Sequence, residues 1–147
     1  MDIIYRINLK GGEILNAENQ LWKRIYMDKS VFKVPEDVRF ADEGYFEHDT
    51  IHVQTYRSET VQIRIRTVSF DVGSFEMVRV HIGSQMDIQN ITIGGHEGFL
   101  NVGEYDFIQE FNYPDYNASN NVTITIHSSE DYFYGLSYYE FIEKMIE

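Results

Sequence analysis

The strongest pattern along the chain is alternation. "TIHVQTYR" (50–57), "TVQIRIRTV" (60–68), "MVRVHI" (77–82) and "NVTITIH" (121–127) each place apolar or β-branched residues at every second position, as half-buried antiparallel strands do. "DIIYRINL" (2–9) alternates in the same way, with Ile3, Tyr5, Ile7 and Leu9 on one face, and "KGG" (10–12) then turns the chain. Weaker strands are predicted at 88–93 and 104–111. The stretch from Val31 to Asp49, with Pro35, Gly44 and scattered acids, reads as short extended pieces joined by turns.

Two stretches depart from period two. Asn16 is placed to cap a short helix over 17–27, in which Leu21, Trp22, Ile25 and Tyr26 share one side. Near the C-terminus, Ser137 and Glu140 stand at the spacing of a capping box, so a helix is predicted from Tyr138. On it Tyr138, Phe141, Ile142 and Met145 fall at i, i+3, i+4 and i+7 and form one apolar stripe that must pack on the sheet. The predicted fold is mainly β: an antiparallel β-sandwich or jelly-roll-like domain spanning 1–147, with a short helix in the N-terminal region and a C-terminal helix packed on the sheet.

Charge changes the picture more than composition does. The chain carries a net charge of −12, unevenly spread: residues 1–79 hold eleven bases and thirteen acids, whereas residues 80–147 hold one base, Lys144, and eleven acids. An acidic half disfavours direct binding to nucleic acid or to an anionic membrane, because both need Lys and Arg to neutralise phosphates. It favours a basic protein partner, a cation, or plain solubility.

Twelve of the 22 aromatic residues lie between Phe99 and Phe141, overlapping this acidic half. Tyrosine offers a rigid apolar plate with a polar tip, which suits an interface. The candidate partner-binding residues are Glu104, Tyr105, Asp106, Glu110, Tyr113, Asp115, Tyr116, Glu130, Asp131, Tyr132 and Tyr134. In an extended "SSEDYFYG", Tyr132 and Tyr134 point to one side and Phe133 to the other.

The expected function is that of a non-catalytic acidic binding protein whose tyrosine-rich C-terminal half engages a basic protein surface. Its most specific form is a viral inhibitor of a nucleic-acid-binding or host-defence protein. The alternative is a carbohydrate-binding or self-assembling β-sandwich module. In the first half, Arg64 and Arg66 on one strand, with Arg79 and His81 on the predicted 77–82 strand, make an arginine-bearing face that could meet the acidic half of a second copy, so a homo-oligomer is one expectation.

Catalytic and cofactor chemistry finds little support. With no cysteine, thiolate zinc sites and thiol catalysis are excluded. His48 and His52, with Glu47 and Asp49 beside them, are four apart, but on a strand that spacing spans too far for one ion. "IGGHEGF" (93–99) has the glycines of a phosphate loop without its lysine or its strand-to-helix setting. "ITIHSS" around His127 and "IHVQTY" around His52 resemble the paired His-x-Ser/Thr strands of two-histidine phosphodiesterases, except that the second has one residue too many before its threonine. "LNVGEYDF" resembles the Gly-x-Tyr strand entry of Ig-like and prealbumin-like modules. We therefore expect no enzyme, no cofactor and no metal. Asp2 and Arg6 interrupt the apolar start, and no apolar run reaches the ~18 residues of a membrane span, so the expected location is cytoplasmic.

Overall fold

The computed structural model describes residues 19–101 and 108–147, together with the backbone of 5–7 and 14–16. The fold is mainly antiparallel β, consistent with a β-sandwich carrying a C-terminal helix. In chain order the strands are β1 (Tyr5–Ile7), β2 (Ile14–Asn16), β3 (Trp22–Met27), β4 (Ser30–Pro35), β5 (Arg39–Phe46), β6 (Ile51–Arg57), β7 (Gln62–Ser69), β8 (Ile88–Ile93), β9 (His96–Asn101), β10 (Ile108–Asp115) and β11 (Asn120–His127). Helix α1 (Phe75–Gly83) follows β7, and α2 (Tyr138–Ile146) follows β11.

Seven strands form one sheet in the order β5-β6-β7-β11-β10-β9-β8, while β3–β4 and β1–β2 are separate hairpins. The alternation read from the sequence sets the register. Ile63 and Ile65 on β7 lie opposite Ile126 and Ile124 on β11, and Ile124 and Val122 lie opposite Phe111 and Tyr113 on β10. All seven side chains are buried and share one face of the sheet. The second layer of the core is built from Met27, Phe32 and Val34 of the β3–β4 hairpin and from the stripe of α2.

The expected C-terminal helix begins where the capping box placed it. Ser137 accepts from the Glu140 amide, the Glu140 carboxylate accepts from the Ser137 amide, and Tyr138, Phe141, Ile142, Met145 and Ile146 are buried. The other two local expectations were exchanged. Residues 22–27 are a strand, not a helix: Lys23, Ile25 and Met27 turn toward the sheet, and Asp28 and Lys29, both at positive φ, close a tight two-residue hairpin into β4. Residues 77–82 are helical, not a strand. The Ser74 side chain accepts from the Met77 amide and caps α1, which lies on the outer face with none of its residues fully buried. β7 pairs with β6 and β11. The turn expected at 10–12 and the entry of the 104–111 strand lie outside the described residues.

The glycines of "IGGHEGF" serve the β8–β9 hairpin. Gly94 and Gly95 occupy φ of 57° and 81°, the left-handed pair that a two-residue turn between twisted strands requires. Strand β5 is one edge of the sheet, and its ladder with β6 is interrupted by a register shift between Phe40 and Asp42.

Candidate functional site

Three loops converge at one end of the sheet: the β4–β5 turn, the β6–β7 loop and the segment after β11. Ser128 Oγ donates to the Thr60 carbonyl at 2.7 Å and accepts from the Glu130 amide at 3.2 Å. Tyr138 donates to the Ser128 carbonyl at 3.2 Å, and Tyr134 donates to Asp37 Oδ2 at 3.1 Å. Phe133 and Leu136 exchange backbone hydrogen bonds around Tyr134 and Gly135, both at positive φ, so "FYGL" is a miniature hairpin. This framework places the exposed acids Glu36, Asp37, Glu59, Glu130 and Asp131 on the same end of the sheet as Tyr132, which is 56% exposed.

Of the residues singled out in the sequence, Glu130, Asp131 and Tyr132 stand on this end. Tyr134 does not point alongside Tyr132 as an extended chain would have it. Its left-handed backbone turns the ring inward, 6.0 Å from the ring of Phe141. Burial pushes its pKa up to about 12, and the Asp37 carboxylate adds to the rise. Tyr113 lies in the core at 2% exposure, where burial raises its pKa as well. Asp115 and Tyr116 lie at the opposite end of β11, roughly 25 Å away at ~3.3 Å per residue. There Asp115 accepts from Ser30 Oγ and the Ala118 amide, and Tyr116 is exposed. Glu110 is on the other face of the sheet and accepts from Asn101 Nδ2 at 2.7 Å. Glu104, Tyr105 and Asp106 lie outside the described residues. Glu36, Asp37 and Glu59 were missed, since they come from the half of the chain whose charges nearly balance.

A tyrosine kept neutral by the fold makes stability depend on alkaline pH. Because the folded pKa of Tyr134 is raised above its ordinary value of 10.0, its contribution is complete below pH 10.0 and is lost as pH rises toward about 12. Tyr134→Phe removes that titration and should flatten the fall in stability across this window. Chemical denaturation at stepped pH checks it, and an unchanged slope counts against the inward placement of the ring.

A second cluster surrounds His52, on the core-side face of β6. Its Nδ1 lies 3.1 Å from Asp28 Oδ2 and its Nε2 lies 2.8 Å from Glu43 Oε2, while Tyr45 stacks on the ring at 4.1 Å. Thr67 donates to the same Asp28 oxygen and Gln54 to the same Glu43 oxygen. The hydrogen bond from His52 holds the Glu43 carboxyl below its ordinary value, with Gln54 assisting. The cluster ties the β3–β4 turn, the edge strand β5 and the sheet together. His48 sits apart in an exposed left-handed turn, and His127 is on the opposite face of the sheet from His52. No group of three metal-ligating side chains converges among the described residues.

The outer face of the sheet divides in two. Toward β8 and β9 it is covered by α1: Phe75 packs against Phe99 at 5.5 Å, Arg79 donates to Asn90 and is paired with Glu76, and Asn121 donates to the Gly73 carbonyl. Toward β5, β6 and β7 it is open and carries Arg39, Arg57, Arg64 and Arg66, all exposed. None of the four forms an ion pair with a described residue. Arg57 donates to Gln62 and Arg66 to Thr123.

No family model, curated protein or solved structure matches the chain.

Between α1 and the β8–β9 hairpin lies a cavity of about 710 Å³, whose lining includes the rings of Phe75, His96 and Tyr116 and the polar groups of Asn90, Thr92 and Glu97. Its lining is mixed in polarity, combining aromatic rings with hydrogen-bonding groups of β8 and β9. Among the described residues three surfaces carry recognition chemistry: an acidic end bearing a tyrosine, an open arginine face and this cavity.

Proposed function

We propose that the chain is a non-catalytic binding protein whose acidic end engages a basic protein surface. The supporting observation is the convergence of three loops, fastened by the Tyr134–Asp37 and Ser128–Thr60 hydrogen bonds, that brings Glu36, Asp37, Glu59, Glu130 and Asp131 to the same end of the sheet as the exposed Tyr132. The carboxylates steer a basic partner over a range of about a Debye length, ~8 Å at physiological ionic strength. The tyrosine supplies contact area that salt does not weaken. An inhibitor that occupies the basic groove of a nucleic-acid-binding or host-defence protein is the most specific form of this reading.

The two contributions separate experimentally. Tyr132→Ala should cost roughly 2 kcal/mol of affinity at any salt concentration, as a hot spot does. Glu59→Lys with Glu130→Lys and Asp131→Lys should slow association and remove most of its salt dependence. The measurement is retention of basic proteins from a cell lysate on the immobilised chain, with salt elution, followed by titration of the variants against the retained protein. Equal retention by wild type and both variants would overturn the reading.

The cavity beside α1 favours a second reading, a carbohydrate-binding module. Rings of Phe75 and Tyr116 next to Asn90, Thr92 and Glu97 suit the apolar face and the hydroxyls of a sugar ring. Binding to a glycan array that is lost in Tyr116→Ala would support it.

A further inference from the structure

We infer that the open arginine face is an interaction surface for the acidic end of a second copy of the chain, giving a head-to-tail contact. The inference rests on the proposed role of the acidic end and names its partner.

Four of the chain's twelve bases stand together on this one face, and none is ion-paired with a described residue. Arg39 and Arg57 are directly opposed on β5 and β6, while Arg64 and Arg66 stand two residues apart on β7. Like charges directly opposed on a sheet cost stability, and the register puts Arg39 and Arg57 in that position. A group of carboxylates placed above them relieves it.

The register also limits what that group can be. Along the row through Arg64, the residues run Asp42, Thr55, Arg64, Thr125, Glu110, so an acid stands two strands away on either side, about 10 Å off. An extended polyanion such as a nucleic acid would run past the arginines onto Asp42 or Glu110 and be repelled. A compact cluster of carboxylates fits between them and can form charge-assisted, two-pronged bonds with guanidinium groups.

The acidic end of the chain is such a cluster, and it also carries the exposed ring of Tyr132, a surface on which a guanidinium stacks favourably. Arg39 and Arg57 stand two residues from Asp37 and Glu59, so the arginine face borders the acidic end and extends away from it through Arg64 and Arg66. The inferred contact joins the acidic end of one copy to the arginine face of another, and each chain offers both halves of it.

Sedimentation velocity over a concentration series, at low and high salt, tests this on the full chain. Two variants with neutral side chains are needed. One carries Arg39→Gln, Arg64→Gln and Arg66→Gln; the other carries Glu59→Gln, Glu130→Gln and Asp131→Asn. All six positions are exposed, and circular dichroism melting should match wild type.

Wild type should associate beyond a single chain, at least ten-fold more weakly at high salt. Each variant alone should lose at least ten-fold in association. An equimolar mixture of the two should recover a two-chain species that grows no further, because only one intact acidic end and one intact arginine face remain to meet. A wild type that sediments as a single chain at every concentration and salt would overturn the inference, as would a mixture that recovers nothing.

A basic probe peptide of alternating Lys and Arg separates this failure from that of the underlying reading. Should wild type stay single while its acidic end still binds the peptide, and the Glu/Asp variant does not, the second copy alone is ruled out. If wild type neither associates nor binds the peptide, both fall.

Discussion

Phe141→Ala is expected to lower the stability of the fold by about 3–5 kcal/mol, the range for removing a fully buried phenylalanine from a packed core. The ring has 0% exposure and stands where three parts of the second layer meet. It lies 5.3 Å from Trp22 of β3, 4.9 Å from Phe133 and 6.0 Å from Tyr134 of the miniature hairpin. Those neighbours belong to two hydrogen-bonded segments, β3 and the miniature hairpin, so neither can collapse into the void without dragging its own hydrogen bonds. The loss should appear as a lower denaturant midpoint with an unchanged slope. A midpoint shift worth less than ~1 kcal/mol would mean that α2 is not seated as described. Such a change would also loosen Tyr134, and with it the Asp37 tether of the acidic end.

Gly98→Ala should be almost as costly although it adds a single methyl. A β-carbon there would stand 2.0 Å from the Asn112 carbonyl oxygen and 3.0 Å from its carbon, both backbone atoms. Asn112 cannot retreat easily. Its side chain donates to Asn101 at 3.1 Å and accepts from Thr123 at 2.7 Å, in a buried polar chain across β9, β10 and β11. Overpacking costs ~1–3 kcal/mol and occasionally more; a clash with fixed backbone belongs at or above the upper end of that range. Gly73→Ala serves as the control, because its β-carbon would meet nothing within 4 Å. Thermal unfolding of the pair checks both, and equal midpoints would refute the close approach.

Much of the sheet was legible because alternation and burial carry the same information. Ile63, Ile65, Val122, Ile124 and Ile126 announce their face by spacing alone, and Ser137 with Glu140 announces the start of α2. The exchange of helix and strand at 22–27 and 77–82 has a common cause. Both segments are short and apolar, and at that length either period fits; what decided each was a neighbour. For 22–27 it was the left-handed turn at Asp28 and Lys29, which sequence propensity does not advertise. For 77–82 it was the cap at Ser74, overlooked beside "MVRVHI". The acidic end was legible only in its C-terminal part. Glu36, Asp37 and Glu59 reach it through long-range pairing of β5, β6 and β7, which no local pattern reveals. Tyr134 was misdirected by the same short range of view, since only the positive φ before Gly135 turns its ring inward.

Strand β5 is an edge of the seven-stranded sheet, and the outermost strand of any sheet is a template on which foreign extended chains can grow. Eight residues long and bearing the exposed rings of Phe40, Tyr45 and Phe46, it has the makings of an aggregation seed. Two features blunt it. The register shift after Phe40 breaks the regular spacing of amides that an incoming strand would read. Asp42 and Glu43 then stand side by side at mid-strand, so two copies of β5 laid antiparallel about their centres would bring carboxylate against carboxylate. Both features work against strand-by-strand stacking of copies along β5, as a bulge and mid-strand charge do on any exposed edge.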